Sequence, residues 1–242
     1  MKTGFWKLST AGNTTLFLEK RCDAGEALEL ICAEQAGYVD LAARSLCMAG
    51  GEFCANACLA YGALLDALGF FPEQLSIGDT TIKVRARGKM PVWEVCAQFP
   101  LPECKWEGGE DVRVCHAQGI SHVLLRCPEL PAREGSLEIA AGVRRDWRLD
   151  SRPAAGVVWW RQLADCLEIL PVISVPSLGT CNLEQACGSA SIALALGMGA
   201  GRHSIRQPSG KTLLVDAGAD SISVTGEVLF QASGELWATE AV

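Results

Sequence analysis

The sequence predicts an α/β protein built as two pseudo-symmetric halves, each a mixed, mostly antiparallel sheet or barrel wrapped around one central helix. Two cysteine-led, Ala-rich helix formers stand 133 residues apart, at Cys54 and Cys187. Each is followed by the alternating segment, turn and alternating segment of a hairpin. With 242 residues, 49% of them hydrophobic, the chain can build two cores of about 120 residues each.

Taken in order, Leu28-Glu29-Leu30-Ile31-Cys32 reads as a strand of the first half. Gly51-Glu52-Phe53-Cys54-Ala55-Asn56-Ala57 then leads into the helix former at 58–65, and the hairpin follows as residues 81–87, a turn at 88–91, and residues 92–98. The second half repeats this: a strand at Val157-Val158-Trp159-Trp160, the segment Leu183-Glu184-Gln185-Ala186-Cys187-Gly188-Ser189-Ala190 leading into a helix at 191–196, then residues 211–216, a turn at 217–220, and residues 221–228. No Pro/Ser-rich linker divides the chain. The halves are therefore set by the repeat: residues 1–112 carrying Cys54, completed by 232–242, and residues 113–231 carrying Cys187.

Charge and hydropathy narrow the function classes. The net charge is −7, with 28 acidic against 21 basic side chains, and no Lys/Arg run exceeds two residues. Neither nucleic acid nor an anionic membrane is expected as a partner. No apolar stretch approaches the ~18 residues of a bilayer span, and the first residues lack the apolar core of a signal segment. A soluble, cytoplasmic protein is expected. Twelve cysteines would suit a secreted disulfide framework, but chain size and the missing signal favour free thiols in a reducing cytosol. Cys32 and Cys96, inside apolar runs, read as small buried hydrophobes.

The paired cysteines carry the chemistry. A thiol at the first turn of a helix meets unpaired N–H groups and the positive end of the helix dipole, which favour the thiolate. Small residues after each cysteine let a carboxylate approach those N–H groups. Two such ends facing each other would grip one carboxylate and stabilise charge developing beside it. Inverting a stereocentre needs a base on one face and an acid on the other, so a thiolate and a thiol suffice, with no cofactor and no metal. Either motif alone reads more readily as a cysteine packed in an Ala-rich helix; their recurrence with shared flanks favours catalysis. Cys58, Cys47 and Cys181 read as packing residues.

At these residues the sequence resembles the diaminopimelate epimerase family. Cys54-Ala55-Asn56-Ala57 matches its Cys-Gly-Asn-Gly motif, and Ala186-Cys187-Gly188-Ser189-Ala190 its second cysteine motif, with Ala for Gly at three places. Gly12-Asn13 looks like its Gly-Asn segment, whose Asn touches the substrate. The resemblance implies a cofactor-independent amino-acid racemase or epimerase with Cys54 and Cys187 as acid and base, a small-molecule amino-acid substrate, and a homodimer. Asn13, Ala55, Asn56, Gly188 and Ser189 become substrate-binding candidates.

The departures bear on substrate. The Glu-Arg-Gly segment of the diaminopimelate enzymes is replaced by Ser177-Leu178-Gly179-Thr180-Cys181-Asn182, and their Gly-Asn-Pro-His by Gly119-Ile120-Ser121-His122. A distal charged head would lose its partners there. Gly-Gly-Glu-Phe-Cys and Gln-Ala-Cys-Gly-Ser look instead like the histidine racemases of opine-metallophore pathways, which makes L-histidine the first substrate to test and diaminopimelate or another amino acid the alternative. Glu52 and Glu184 either hold the substrate ammonium or, the favoured reading, stabilise the helix ends. Gln35 lines the site, and His122 either orients ligand or backbone near Cys187 or is structural.

Three other readings compete: a phenazine-biosynthesis-type isomerase of the same double fold, which lacks the cysteine pair; a thiol metal or redox protein, which the absence of any Cys-x-x-Cys opposes; and a binding protein that captures an amino acid without turning it over.

Overall fold

The chain runs twice through one succession of elements. The computed structural model describes residues 1–71 and 73–240. In the first pass come β1 (Lys2–Thr10), β2 (Asn13–Leu18), α1 (Ala24–Ile31), β3 (Gln35–Asp40), β4 (Ser45–Met48), α2 (Ala55–Ala67), β5 (Gln74–Ile77), β6 (Thr80–Lys89) and β7 (Val92–Pro100). A short strand, β8 (Lys105–Gly108), joins the passes. The second comprises β9 (Val112–His116), β10 (Ser121–Arg126), α3 (Ser136–Asp146), β11 (Ala155–Gln162), β12 (Leu167–Val175), β13 (Thr180–Leu183), α4 (Gly188–Met198), β14 (Gly201–Arg206), β15 (Thr212–Ala217) and β16 (Ser221–Trp237).

Pairing repeats with the order. β2 and β3 run parallel across α1, as β10 and β11 do across α3. Each is followed by an antiparallel neighbour, a helix, a parallel strand and two antiparallel strands. The last strands of the two passes, β7 and β16, pair with each other, Val95 opposite Gly226. β16 then continues along β1, from Val228 opposite Thr10 to Trp237 opposite Lys2, and so closes β1 to β7 into an eight-stranded barrel. Residue 112, where the two halves were expected to part, lies at the start of β9, whose partner β8 precedes it. Of the expected completing segment 232–242, residues 232–237 lie on β1, and 241–242 fall outside the described residues.

The helices α2 and α4 are largely apolar on all sides because each is surrounded. Every residue from Ala55 to Leu65 of α2, and from Gly188 to Ala195 of α4, is buried. Among the described residues no helix is long and apolar enough to cross a membrane.

Two expectations fail here. Residues 28–32 are not a strand but the end of α1. Asp23 caps that helix by accepting from Glu26 N–H, its inner face buries Ala24, Ala27 and Leu28, and Cys32 ends it in the left-handed region at φ 53°. A short apolar run fits either period, and the cap decided. Nor are the cysteines uniformly buried: all twelve are free, but Cys32 and Cys47 are exposed and Cys96 half-buried.

Candidate active site

The two cysteines occupy equivalent backbone positions. Each is the N-cap of its barrel helix, Cys54 at φ −132°, ψ 104° and Cys187 at φ −135°, ψ 105°. The helices meet end to end: a Cβ built on Gly188 would lie 2.8 Å from both Ala55 Cβ and Asn56 Oδ1, so only glycine permits this approach. Asn56 Nδ2 donates to Ala186 O (2.8 Å) across the junction, and Thr10 Oγ1 donates to Asn56 O (2.9 Å). In each half the residue one turn on ties down the cysteine carbonyl, Cys58 Sγ to Cys54 O (3.1 Å) and Ser191 Oγ to Cys187 O (2.8 Å). Cys58 is thus a tether as well as packing.

One pocket between the helix ends is lined by both cysteines and by Gln35, Glu52, Asn56, Glu184, Gly188 and Ser189. Eight of the eleven residues expected in the site come together here. Cys54 Sγ donates to Gln35 Oε1 (3.0 Å) while also accepting from Ala57 N–H (3.4 Å), and Gln35 Nε2 donates to Thr15 Oγ1 (2.6 Å). Cys187 Sγ lies 3.4 Å from Ser189 Oγ. The other three sit behind this surface. Ala55 is pressed against Gly188. His122 contacts Ser189 Oγ through Nε2 (3.1 Å) and lines the adjoining apolar cavity with Phe53, Phe99 and Ile192. Asn13 is fully buried, with neither amide atom bonded to protein.

Glu34, unmarked in the sequence, is the third carboxylate on the pocket. It accepts from Thr14 N–H (2.8 Å) and Gln185 N–H (3.3 Å), so it also ties the first half to the second cysteine loop. Nothing about its spacing in sequence marks it. Among the described residues no set of three or more His, Cys, Asp or Glu is placed to hold a metal.

The electrostatics reverse one expectation. Burial pushes both thiols up, and the Glu184 charge adds to this at each; the N–H donors of Ala57 and Ala190 oppose it without prevailing. The free site therefore holds neutral thiols despite the helix ends. Neither Glu52 nor Glu184 accepts an N–H from the helix that follows it, so any effect on the helix ends would act through charge rather than a hydrogen bond. Burial raises Glu34 and Glu52 as well, and pushes Glu184 up to about 8, with the charges of Glu34 and Glu52 adding to it. Burial pushes His122 down to about 3, which keeps it neutral.

Glu184 makes a stability prediction. Its carboxyl titrates higher in the folded protein than its ordinary value of 4.5, so the stability carried by the neutral form is complete below that value and lost as pH rises through about 8. Glu184→Gln is expected to melt above the wild type at pH 9, by roughly 5 °C for about 2 kcal/mol, and level with it at pH 5. Thermal melts across that range check it; a constant difference would mean Glu184 is not a strained carboxylate.

The same double fold is found among solved structures. A hydroxyproline epimerase from Agrobacterium vitis with bound trans-4-hydroxy-L-proline superposes with a TM-score of 0.66 at 10% identity, over 97% of this chain and 92% of that one. A phenazine biosynthesis protein of the PhzF family from Enterococcus faecalis gives 0.61 at 14% identity, over 98% and 100%. At such identities the likeness is one of fold, and it takes in an epimerase and a phenazine biosynthesis protein alike. No protein of curated function matches the sequence. Residues 2–237, nearly the whole chain, match the family described as the histidine racemase CntK N-terminal domain. The chain belongs to that family, and the protein is an isomerase of the amino-acid racemase and epimerase class.

Proposed function

We propose that the protein racemises L-histidine without a cofactor, Cys54 and Cys187 exchanging the roles of acid and base. The observation that carries this reading is a pocket that joins two helix N-termini and two thiols to three carboxylates, Glu34, Glu52 and Glu184, with no Lys or Arg on its wall. Such a site suits a ligand with one carboxylate, an α-ammonium and a side chain that takes up a proton beside carboxylates, as the imidazole of histidine can. The substrate carboxylate would lie against the N–H groups of both helix ends, and the acidic wall would meet the cations.

Neutral thiols in the free site fit this order of events. Entry of the cationic groups offsets the carboxylate charge of Glu52 and Glu184 that raises the thiols and lets one thiol release its proton to solvent. That thiolate removes the α-proton and becomes a thiol; the carbanion formed, held beside the helix ends, takes a proton on its other face from the second thiol, which is left as the thiolate. The enantiomer departs, and the reverse reaction begins from that form. Each half of the chain supplies one sulfur, so residues 1–112 and 113–231 act as the two jaws of one site. The resemblance further supports a homodimer acting in metallophore assembly, and the lack of an apolar leader or span in the sequence supports a cytoplasmic place for it.

The test is α-proton exchange in D₂O, followed by NMR with each common L-amino acid and diaminopimelate, together with chiral chromatography. L-histidine is expected to lose its α-proton signal and yield D-histidine, with diaminopimelate inert. Exchange confined to neutral amino acids would overturn the reading of the acidic wall. Exchange of L-histidine without inversion would overturn the two-base mechanism.

A further inference from the structure

Gln207 belongs to none of the motifs above, yet its side chain holds the backbone of the second cysteine. It follows β14 and is buried, 2% exposed. Its Oε1 accepts the Cys187 N–H (2.9 Å), and its Nε2 donates to Ser191 Oγ (3.1 Å) and Ile205 O (3.0 Å). Ser191 Oγ in turn donates to Cys187 O (2.8 Å). Both backbone polar groups of Cys187 are thus fixed, one by Gln207 and the other by a hydroxyl that Gln207 holds. Among the described residues the Cys54 N–H has no side-chain acceptor, so the first half lacks this clamp.

The turn that Gln207 opens is itself braced. Gln207 N–H donates to Lys211 O (2.8 Å) and Gly210 N–H to Gln207 O (2.9 Å). At its tip Ser209 N–H donates to Gln185 O (3.0 Å), two residues before Cys187, and Ser209 Oγ donates to Ala11 O of the first half. The approach is close enough that a Cβ on Gly12 would lie 2.5 Å from Ser209 Cβ. Gly12 is therefore required by this turn, independently of any role for its neighbour Asn13.

We propose that Gln207 is the positioning residue for Cys187: it turns the cysteine N–H away from the ligand, leaves the N–H groups of the following residues to face the pocket, and fixes the line along which the sulfur reaches the α-carbon. This rests on the racemase reading above, with Cys187 as one of the two bases. Small displacements of a reacting group cost rate steeply, whereas the pocket's contacts with substrate are untouched.

Gln207→Met keeps the bulk and removes both the acceptor and the donor. It is expected to lower kcat ~10- to 100-fold with KM within about twofold, and to change the rate at which iodoacetamide labels Cys187, followed by peptide mass spectrometry, at least ~5-fold with Cys54 unaltered. Ser191→Ala, which removes only the second leg of the clamp, is expected to move the same two quantities in the same directions by less, and decides the matter if Gln207→Met does not fold. Unchanged kcat and labelling, or a change shared equally by both cysteines, would overturn the assignment. If the wild type racemises nothing, the racemase reading fails, and the labelling ratio alone still decides for or against Gln207.

Discussion

Cys54→Ala and Cys187→Ala are each expected to lower the racemisation rate by at least ~10³-fold, the double variant being little worse than either. The two sulfurs act in sequence on one substrate, so removing either leaves one face without its proton donor or acceptor. The folds should survive: Cys54→Ala gives up the one Sγ acceptor of the Ala57 N–H, Cys187 makes no side-chain cap bond, and each change costs about 1 kcal/mol. The variants should also differ from each other in a telling way. With one base left, the α-proton of only one enantiomer can still be removed, and a solvent deuteron returns to the face it left. Slow exchange without inversion is therefore expected for one enantiomer in Cys54→Ala and for the opposite one in Cys187→Ala, measured by NMR in D₂O. Exchange of the same enantiomer in both, or turnover near wild type in either, would remove the two-base mechanism.

The site was legible where its signal was local. A cysteine followed by small residues and an Ala-rich run specifies a buried helix with an open N-terminus, and two such segments with matching hairpins gave the double fold. Cys54 and Cys187 adopt near-identical backbone angles for that reason. What depended on distant chain segments was not legible. Glu34 reaches the pocket from the loop before β3, and Gln207 from a turn twenty residues past the cysteine it holds. The thiols misled for the same cause: the helix end that favours a thiolate is written in the sequence, but the burial that outweighs it, with Glu184 at both thiols and Glu52 at Cys54 adding to it, exists only in the folded chain. The misassigned 28–32 segment was a local conflict, in which an apolar run of strand-forming length lay just beyond a helix cap.

Gly188→Ala is the most economical test that two helix ends make one site. The added methyl would meet Ala55 Cβ and Asn56 Oδ1 at 2.8 Å and Asn56 N at 3.2 Å. None of these is the free end of a flexible chain, since Ala55 is fully buried in the first turn of α2 and Asn56 is bonded through Nδ2 to Ala186 O. The helices must then separate by several tenths of an ångström, at about 1–3 kcal/mol of overpacking, and the donors that converge on the substrate carboxylate part with them. Because those donors act on the charge that develops as the α-proton leaves, the loss should fall on kcat/KM by ~10²- to 10³-fold. Gly197→Ala serves as the control: it lies in the same helix, where an added Cβ would touch its nearest neighbour, Trp106, at an ordinary 3.5 Å, and it is expected to leave kcat/KM within about twofold. If Gly188→Ala behaves like Gly197→Ala, the carboxylate is not held between the two helix ends, and the cysteines, however well matched, do not face each other across a common substrate.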